Sequence, residues 1–324
     1  MDAVPYKFVD SVVELFGLHT LHRLPGKVRH PRWKPAVELH HHNRVYYQLL
    51  FRESEHGIKH IEVNMSAGVG PLFMEKTRVI PKNRRFSRIM HICDQTYEGE
   101  SYNWTRAKQL GEAETAKLLE SILPFSDQVS GQLMSEFGSI DSTRVILTSL
   151  FKRVYLLQIV VIYCGQIAYD FVEDQINNSP FLNYVRLAEE SWPQSSLKLL
   201  SKFCLKGTPG NQVSALVDNG NSYVTIDSHY IQHFLDLWKS GAKLHFKLFS
   251  MADKRKDKEW RALMKEGRVT KIGHKLRQSV FQHETEKSLA VVSTLDCLME
   301  CCACECDQFE KCAMKGCYPE YHNF

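Results

Sequence analysis

The chain has 324 residues, of which 44% are hydrophobic and 24% charged, a composition typical of globular rather than disordered proteins. Its 41 basic and 37 acidic residues leave a net charge of only +4, so no domain-wide basic excess favours nucleic acid. The N-terminus does not resemble a secretory signal, and the most apolar stretch, 154–164, is too short to cross a bilayer. We therefore expect a protein of the cytoplasm or nucleus, without a membrane partner, in which most of the ten cysteines stay reduced.

The first 45 residues predict three short helices, over 5–16, 18–24 and 35–43. Pro5 suits a first helical turn, where its missing N–H is not needed, and apolar residues follow it at helical spacing. Pro35 can open the third helix in the same way. A unit this small has too few apolar positions to form an independent core. Its stability should therefore depend on packing against the body or against a partner.

The order of features in this head resembles the F-box, the helical motif through which substrate receptors dock on the adaptor subunit of cullin-RING ubiquitin ligases. An apolar–proline pair opens an apolar helix, and a leucine-rich second turn and a basic stretch with a tryptophan follow. Pro35 and the run His40-His41-His42 depart from the motif, and a helical hairpin of an ordinary domain is the alternative. The resemblance implies that the adaptor is contacted by Val4, Pro5, Phe8, Val9, Val12, Leu21, Leu24 and Trp33.

Longer segments are similar to a large nematode family of F-box-like proteins. They are the opening MDAVPYKFVDSVVELF, the central SPFLNYVRLAEESWPQSSLKLLSKFCLKG and the closing YPEYHNF. This similarity favours the F-box-like interpretation of the head over the structural hairpin, and it informs architecture more than mechanism.

The body begins with a predicted β-hairpin. Strand-forming residues over 44–53 are followed by turn residues 54–57 and by alternating apolar residues up to 63. The glycines Gly68 and Gly70 do not form a phosphate loop, because no Lys-Ser/Thr pair follows them and Pro71 removes an N–H, so we expect an ordinary loop.

From residue 154, strand-like and helical segments alternate with a period of 28–31 residues. This alternation is typical of a leucine-rich-repeat-like solenoid, and an ordinary βα sheet gives the same pattern, so both interpretations predict parallel strands. Asp227 is a plausible N-cap and Gly241 a plausible stop for the last helix, whose apolar face includes Trp238. The predicted strands begin at 154, 182, 213 and 244, and the predicted helices cover 166–177, 195–205 and 227–239.

After residue 249 the pattern indicates a β-meander. Strands are predicted over 259–264, 268–273 and 275–283, with a hairpin turn at 265–267. The whole sequence thus predicts an α+β or α/β fold with four regions. These are an F-box-like helical head over 1–45, a β-hairpin and connecting region over 46–135, an irregular leucine-rich-repeat-like βα region over 136–250, and a meander with a cysteine-rich tail over 251–324.

Seven of the ten cysteines lie between Cys297 and Cys317. Their spacing would allow zinc binding, but structural zinc sites usually pair two C-x-x-C units and the tail has only one. We therefore expect these cysteines to pack as small hydrophobic groups, in a tail that needs no metal. The alternative zinc ligands would come from Cys301, Cys304, Cys306, Cys312, Cys317 and His322.

The sequence contains no motif that specifies catalysis. It lacks G-x-S-x-G, H-E-x-x-H, a phosphate loop and a kinase signature, so we expect no enzymatic activity and no cofactor. The leading hypothesis is a substrate-recognition subunit of a cullin-RING ligase, with the head on the adaptor and the body on a protein target. The second is an interaction scaffold whose head only completes the fold, and the third adds a C-terminal zinc-binding segment to either.

Overall fold

A computed structural model of the chain describes residues 4–65, 85–99, 102–189, 191–218, 224–241, 243–272, 276–309 and 311–322. The predicted loop around Gly68 and Gly70 lies outside these ranges, as do residues 273 and 275 of the predicted meander. Within the same ranges no helix has the length and apolarity needed to span a membrane. The chain divides into two compact units, 1–182 and 183–324, and both mix helices with strands, which confirms the mixed α/β class.

The first unit opens with the three predicted helices, at bounds close to those expected. Pro35 lies in the first turn of the third helix, where a proline is tolerated because that N–H has no partner within the helix. The predicted hairpin follows, and its two strands pair antiparallel around the turn at Gly57. These elements are α1 Tyr6–Glu14, α2 Leu18–Arg23, α3 Trp33–Asn43, β1 Val45–Ser54 and β2 Gly57–Asn64.

The rest of the first unit adds strands on both sides of this hairpin. The strand order is β6-β5-β3-β1-β2-β4, in which β6, β5, β3 and β1 are parallel and β2 is antiparallel to both neighbours. Strand β6 buries four consecutive residues, as expected for a parallel strand covered on both faces. The added elements are β3 Ser87–Asp94, β4 Lys108–Leu110, α4 Glu112–Ile122, β5 Gln132–Met134, α5 Ile140–Leu150, β6 Gln158–Ile162 and α6 Gln166–Asn178, with short 3₁₀ turns at Trp104–Arg106 and Leu123–Phe125.

The second unit begins with three parallel strands joined by helices and ends in an antiparallel meander. Strands β7, β8 and β9 lie side by side and parallel, as both interpretations of the repeat predicted. Strand β13 pairs antiparallel with β9, and β12, β11 and β10 continue outward from it. The elements are β7 Tyr184–Ala188, α7 Ser196–Cys204, β8 Val213–Val217, α8 Ser228–Lys239, β9 Phe246–Ser250, α9 Lys258–Met264, β10 Arg268–Ile272, β11 Leu276–Gln282, β12 Ser288–Ser293, β13 Asp296–Ala303, α10 Ala313–Cys317 and α11 Pro319–His322.

Helix α8 forms where its local signals predicted it. The Asp227 side chain accepts a hydrogen bond from the N–H of Tyr230 at 2.8 Å, which confirms the N-cap. Gly241 follows the helix with a φ of +96°, a backbone conformation that glycine adopts without strain. The predicted apolar face is buried, and Trp238 on it is only 1% exposed.

The strand predicted over 259–264 is wrong, because this segment is helix α9. Asp257 Oδ1 accepts hydrogen bonds from the N–H groups of Glu259 and Trp260, at 3.0 and 3.1 Å, and so caps a helix. Trp260, Leu263 and Met264 then point to one buried side at helical spacing. The predicted strands over 268–273 and 275–283 are confirmed as β10 and β11, whereas the turn predicted at 265–267 follows helix α9 and joins no hairpin. Strands β12 and β13 complete the meander, and no predicted strand covered them.

Truncating Trp238 tests the packing of the second unit. We expect Trp238→Ala to lower the free energy of unfolding by roughly 3–5 kcal/mol, because a buried aromatic side chain is removed. The indole N–H also donates to Ser288 Oγ at 3.0 Å. Trp238→Phe keeps an aromatic ring but loses this hydrogen bond, so it should lower the free energy of unfolding by less than Trp238→Ala does, but still measurably. Urea unfolding measures these changes, and Met251→Ala, at a side chain 68% exposed, is the control. Equal losses of unfolding free energy at positions 238 and 251 would contradict the burial of Trp238.

A buried carboxyl group ends strand β3 in the first unit. Asp94 is 1% exposed and accepts hydrogen bonds from the hydroxyls of Thr96 and Thr143, at 2.7 and 3.0 Å. Burial raises the pKa of Asp94 to about 6 despite these hydrogen bonds. Since the folded pKa is above the unfolded one of about 3.9, the native state holds the proton more tightly, and stability falls as the pH rises between these values.

Asp94→Asn should remove this pH dependence, because an amide is neutral and similar in shape. The pKa difference of about two units corresponds to about 3 kcal/mol. The full difference is present only below the unfolded pKa, so between pH 4.5 and pH 7.5 we expect the wild-type free energy of unfolding to fall by about 2 kcal/mol relative to the variant. Urea unfolding at the two pH values measures the difference, and parallel pH profiles for the two proteins would contradict it.

Candidate docking face and candidate metal centre

The three-helix head has an apolar core of its own. Val9 and Val13 of α1 pack with Leu21 of α2, and each of the three is at most 1% exposed. This core fixes which side of α1 faces inward. The remaining members are Ala36 and Val37 of α3, with Val4, Phe16, Leu24, Val28 and Trp33 packed against them and partly buried.

The residues predicted to contact an adaptor therefore separate into two groups. Val9 and Leu21 are fully inside the head, with Val4, Leu24 and Trp33 packed at the edge of the same core. Pro5 and Phe8 are exposed, and Val12 is half-buried. In this arrangement Val9 and Leu21 are not available to a partner, and Pro5 and Phe8 are the most exposed of the predicted contacts.

Leu15, which was not among the predicted contacts, extends the exposed group. Counted from Pro5, the residues Phe8, Val12 and Leu15 follow at spacings of three, four and three, so they lie along one side of α1. Phe8 is 56% and Leu15 73% exposed. We call these four residues the docking face; contiguous exposed apolar side chains of this kind mark interaction sites.

The acidic side of α1 is anchored by basic residues of the same unit. Asp10 lies 3.0 Å from His40 Nε2 and also forms an ion pair with Arg85. Glu14 lies 3.2 Å from the Arg88 guanidinium, at the start of β3. These contacts hold the acidic side of the helix against the unit and leave the docking face outward.

A buried guanidinium caps the C-terminus of α1. Arg44, which links α3 to β1, donates to the carbonyl oxygens of Val13 at 2.8 Å and Glu14 at 2.7 Å, and also to that of Phe16. The last carbonyls of a helix lack partners within it, so Arg44 supplies the missing donors and a favourable positive charge.

His40 connects this guanidinium to Asp10. Burial lowers the pKa of His40 and outweighs the hydrogen bond with Asp10, so the imidazole is neutral near pH 7. In the neutral ring, the Nε2–H donates to Asp10 and the Nδ1 lone pair faces Arg44 Nη2 at 3.4 Å. Asp10, His40 and Arg44 thus form one polar network under α1.

A second cluster lies in the cysteine-rich tail of the other unit. The side chains of Cys304, Cys306, Cys312 and His322 meet so that their ligand atoms all lie within 4.8 Å of one another. His322 Nε2 is 3.4 Å from Cys304 Sγ and 3.2 Å from Cys306 Sγ. Three thiols and one imidazole are a ligand set that tetrahedral zinc takes in structural sites.

The thiols of this cluster differ in acidity. Desolvation and hydrogen bonds with the Cys304 and Cys312 thiols raise the pKa of Cys306 to about 11. Burial also acts to raise the pKa of Cys312, but N–H groups of Glu305 and Lys315, together with the neighbouring thiols, outweigh it and lower that pKa. The N–H of Glu305 lies 3.4 Å from Cys312 Sγ.

Of the C-x-x-C unit, Cys301 to Cys304, only Cys304 belongs to the cluster. Cys301 is completely buried in β13, where burial raises the pKa of its thiol, and Cys302 packs in the apolar core beside Met314. These two cysteines pack as the sequence predicted. Cys317 is exposed and is not among the clustered ligands. All four clustered residues were among the alternative zinc ligands of the sequence, but the packed tail was preferred because there is only one C-x-x-C unit and Cys304-x-Cys306 has one intervening residue instead of two.

No family model matches this sequence, and neither a curated protein nor a solved structure matches it. The functional argument therefore depends on the chain's own residues.

Replacing Arg44 tests whether it holds α1. Arg44→Met keeps apolar bulk but removes the donors to three carbonyls, so we expect the free energy of unfolding to fall by roughly 1.5–3 kcal/mol. Hydrogen exchange of the α1 amides should speed up at the same time. Arg85→Met, at an exposed ion pair, is the control and should cost less than about 1 kcal/mol. Unchanged exchange in Arg44→Met would show that the head is held by its apolar core alone.

Proposed function

We propose that this chain is a protein-interaction subunit that docks through its N-terminal head on the adaptor subunit of a cullin-RING ubiquitin ligase and presents a protein target with its body. The observation that carries the proposal is the docking face of Pro5, Phe8, Val12 and Leu15. It is an apolar row on a helix that packs in the head's core through Val9 and Val13 and forms ion pairs through Asp10 and Glu14. Apolar faces of single helices are bound by grooves of partner proteins.

The sequence of the head supports this choice of partner. The segment that displays the docking face is the one that resembles the F-box, and its apolar–proline pair, Val4-Pro5, leads directly into α1. The two lines of support are independent, because one rests on the order of residues and the other on their exposure. Leu15 enlarges the expected contact beyond the residues of the motif.

The body supplies the expected target-binding part. In the second unit, parallel strands alternate with helices in β7-α7-β8-α8-β9. We interpret this alternation as an irregular leucine-rich-repeat-like arrangement, a class of fold that binds proteins along extended surfaces. The role that follows is recognition without catalysis, in the cytoplasm or nucleus.

A second candidate is an interaction scaffold whose head only completes the fold. It is favoured by the burial of Val9 and Leu21 in the head's own core and by the Arg44 network beneath α1. Both features would also be present in a head that binds nothing. The two candidates differ in one respect, which is whether the docking face is covered in the cell.

Substitutions on the docking face distinguish these candidates. We expect the double variant Phe8→Ser/Leu15→Ser to lose at least about 90% of the adaptor and cullin that co-purify with the tagged full chain, since burial of two large apolar side chains contributes roughly 3–6 kcal/mol. Val4→Ala/Pro5→Ala should also reduce co-purification. The readout is the amount of both ligase subunits, measured by quantitative mass spectrometry.

The matched control is Tyr6→Ser, which removes an exposed aromatic side chain from the same helix but outside the docking face. It should leave co-purification unchanged, and the melting temperature of every variant should match that of the wild type. Absence of adaptor in the wild-type sample, or equal recovery with the double variant, would reject the ligase role and leave the scaffold.

A further inference from the structure

We propose that Cys304, Cys306, Cys312 and His322 bind one zinc ion as a closed structural site that fastens the C-terminal segment to the second unit. The site is independent of the docking face and of the ligase role. It also departs from the sequence expectation of a tail that needs no metal. Cys301 and Cys302 are fully packed in the core, whereas Cys304 and Cys312 are only partly buried at its edge and Cys306 is exposed, so these three thiols can meet at one point with His322.

The geometry of the four ligand atoms suits a tetrahedral ion. Bonds of about 2.3 Å to sulfur and about 2.0–2.1 Å to nitrogen place neighbouring ligand atoms about 3.6–3.8 Å apart. The distances from His322 Nε2 to Cys304 and Cys306, 3.4 and 3.2 Å, lie just below that spacing, and every pair lies within 4.8 Å. Shifts of a fraction of an ångström at flexible side chains are enough to reach ideal coordination.

The composition of the site selects the metal and its role. Thiolate and imidazole ligands in a tetrahedral set favour zinc over calcium or magnesium, which take oxygen ligands. With four protein ligands no position is left for water or substrate, so the ion is structural and not catalytic.

The ligands come from three successive parts of the tail. Cys304 and Cys306 follow the end of β13, Cys312 is the N-cap residue of α10, and His322 ends α11. One ion therefore joins the last strand to both terminal helices. Helices of five and four residues are too short to be stable on their own and need such an attachment.

Glu305 holds the loop between these ligands in place. The residue is 7% exposed, and its carboxylate accepts hydrogen bonds from the N–H of Gly210 at 2.6 Å and of Ala313 at 3.3 Å. Its own N–H points to Cys312 Sγ at 3.4 Å, an orientation that stabilises a thiolate ligand. Before any ion is bound, the loop thus already has fixed contacts on both sides of Cys306.

Zinc binding releases protons from the site. Zinc replaces one proton on each of the three thiols, which pass to the buffer, and the imidazole binds through its Nε2 lone pair with the remaining proton on Nδ1. The bound site carries a net charge of −1. Affinity should consequently rise with pH, because protons compete with zinc for the thiolates.

Metal content of the intact chain tests the proposal. The full-length protein is purified under reducing conditions, stripped with a chelator, incubated with zinc chloride and desalted. Elemental analysis should then give about one zinc per chain for the wild type and less than about a tenth of that for Cys306→Ser and for His322→Ala. Cobalt substituted for zinc should show the intense visible absorption of a tetrahedral thiolate site.

The control is Cys317→Ser, which removes an exposed cysteine of the same tail that is outside the cluster and should retain full zinc content. Since Cys306 is itself exposed, its serine variant should fold, and circular dichroism checks this. Hydrogen exchange over 304–322 should slow on zinc addition in the wild type and in Cys317→Ser, but not in Cys306→Ser or His322→Ala. No zinc retained by the wild type, equal retention by Cys306→Ser, or a disulfide between two of the clustered cysteines under these conditions would each overturn the proposal.

Discussion

The position of α1 depends on the guanidinium of Arg44. A helix this short is not stable by itself, and its last carbonyl oxygens need donors from elsewhere. Arg44 supplies them from the junction between α3 and β1, and His40 links the same guanidinium to Asp10. Because one side of α1 is thereby occupied by polar contacts and another by the head's core, its third side, which includes Phe8, is left exposed. The proposed docking role follows from this distribution.

A comparable constraint acts at the other end of the chain. The tail after β13 contains only the two short helices α10 and α11, and Met314 and Tyr321 anchor it in the apolar core. Three thiols and an imidazole converge beside this anchor, and the buried carboxylate of Glu305 fixes the loop between them. Polar side chains therefore position both terminal segments, with apolar packing beneath each.

The sequence predicted elements whose signals are local. Helix α8 was placed correctly because an N-cap, an apolar face and a glycine stop all lie within the segment 227–241. Helix α9 was mistaken for a strand because only three large apolar side chains follow Asp257 within the segment, too few to establish a helical period. The exposure of Phe8 could not be predicted, since the inward side of α1 is chosen by packing on α3. The thiol cluster depends on how β13 and two later helices bring distant residues together, and spacing alone does not reveal it.

Hydrogen exchange with the purified adaptor subunit of a cullin-RING ligase tests the docking role most directly. The intact chain is mixed with a molar excess of the adaptor, and exchange is followed by mass spectrometry across the residues that the structure describes. We predict slower exchange over 5–16, which carries the docking face, and little change over β7, β8 and β9. Unchanged exchange over 5–16 at saturating adaptor would contradict the docking role.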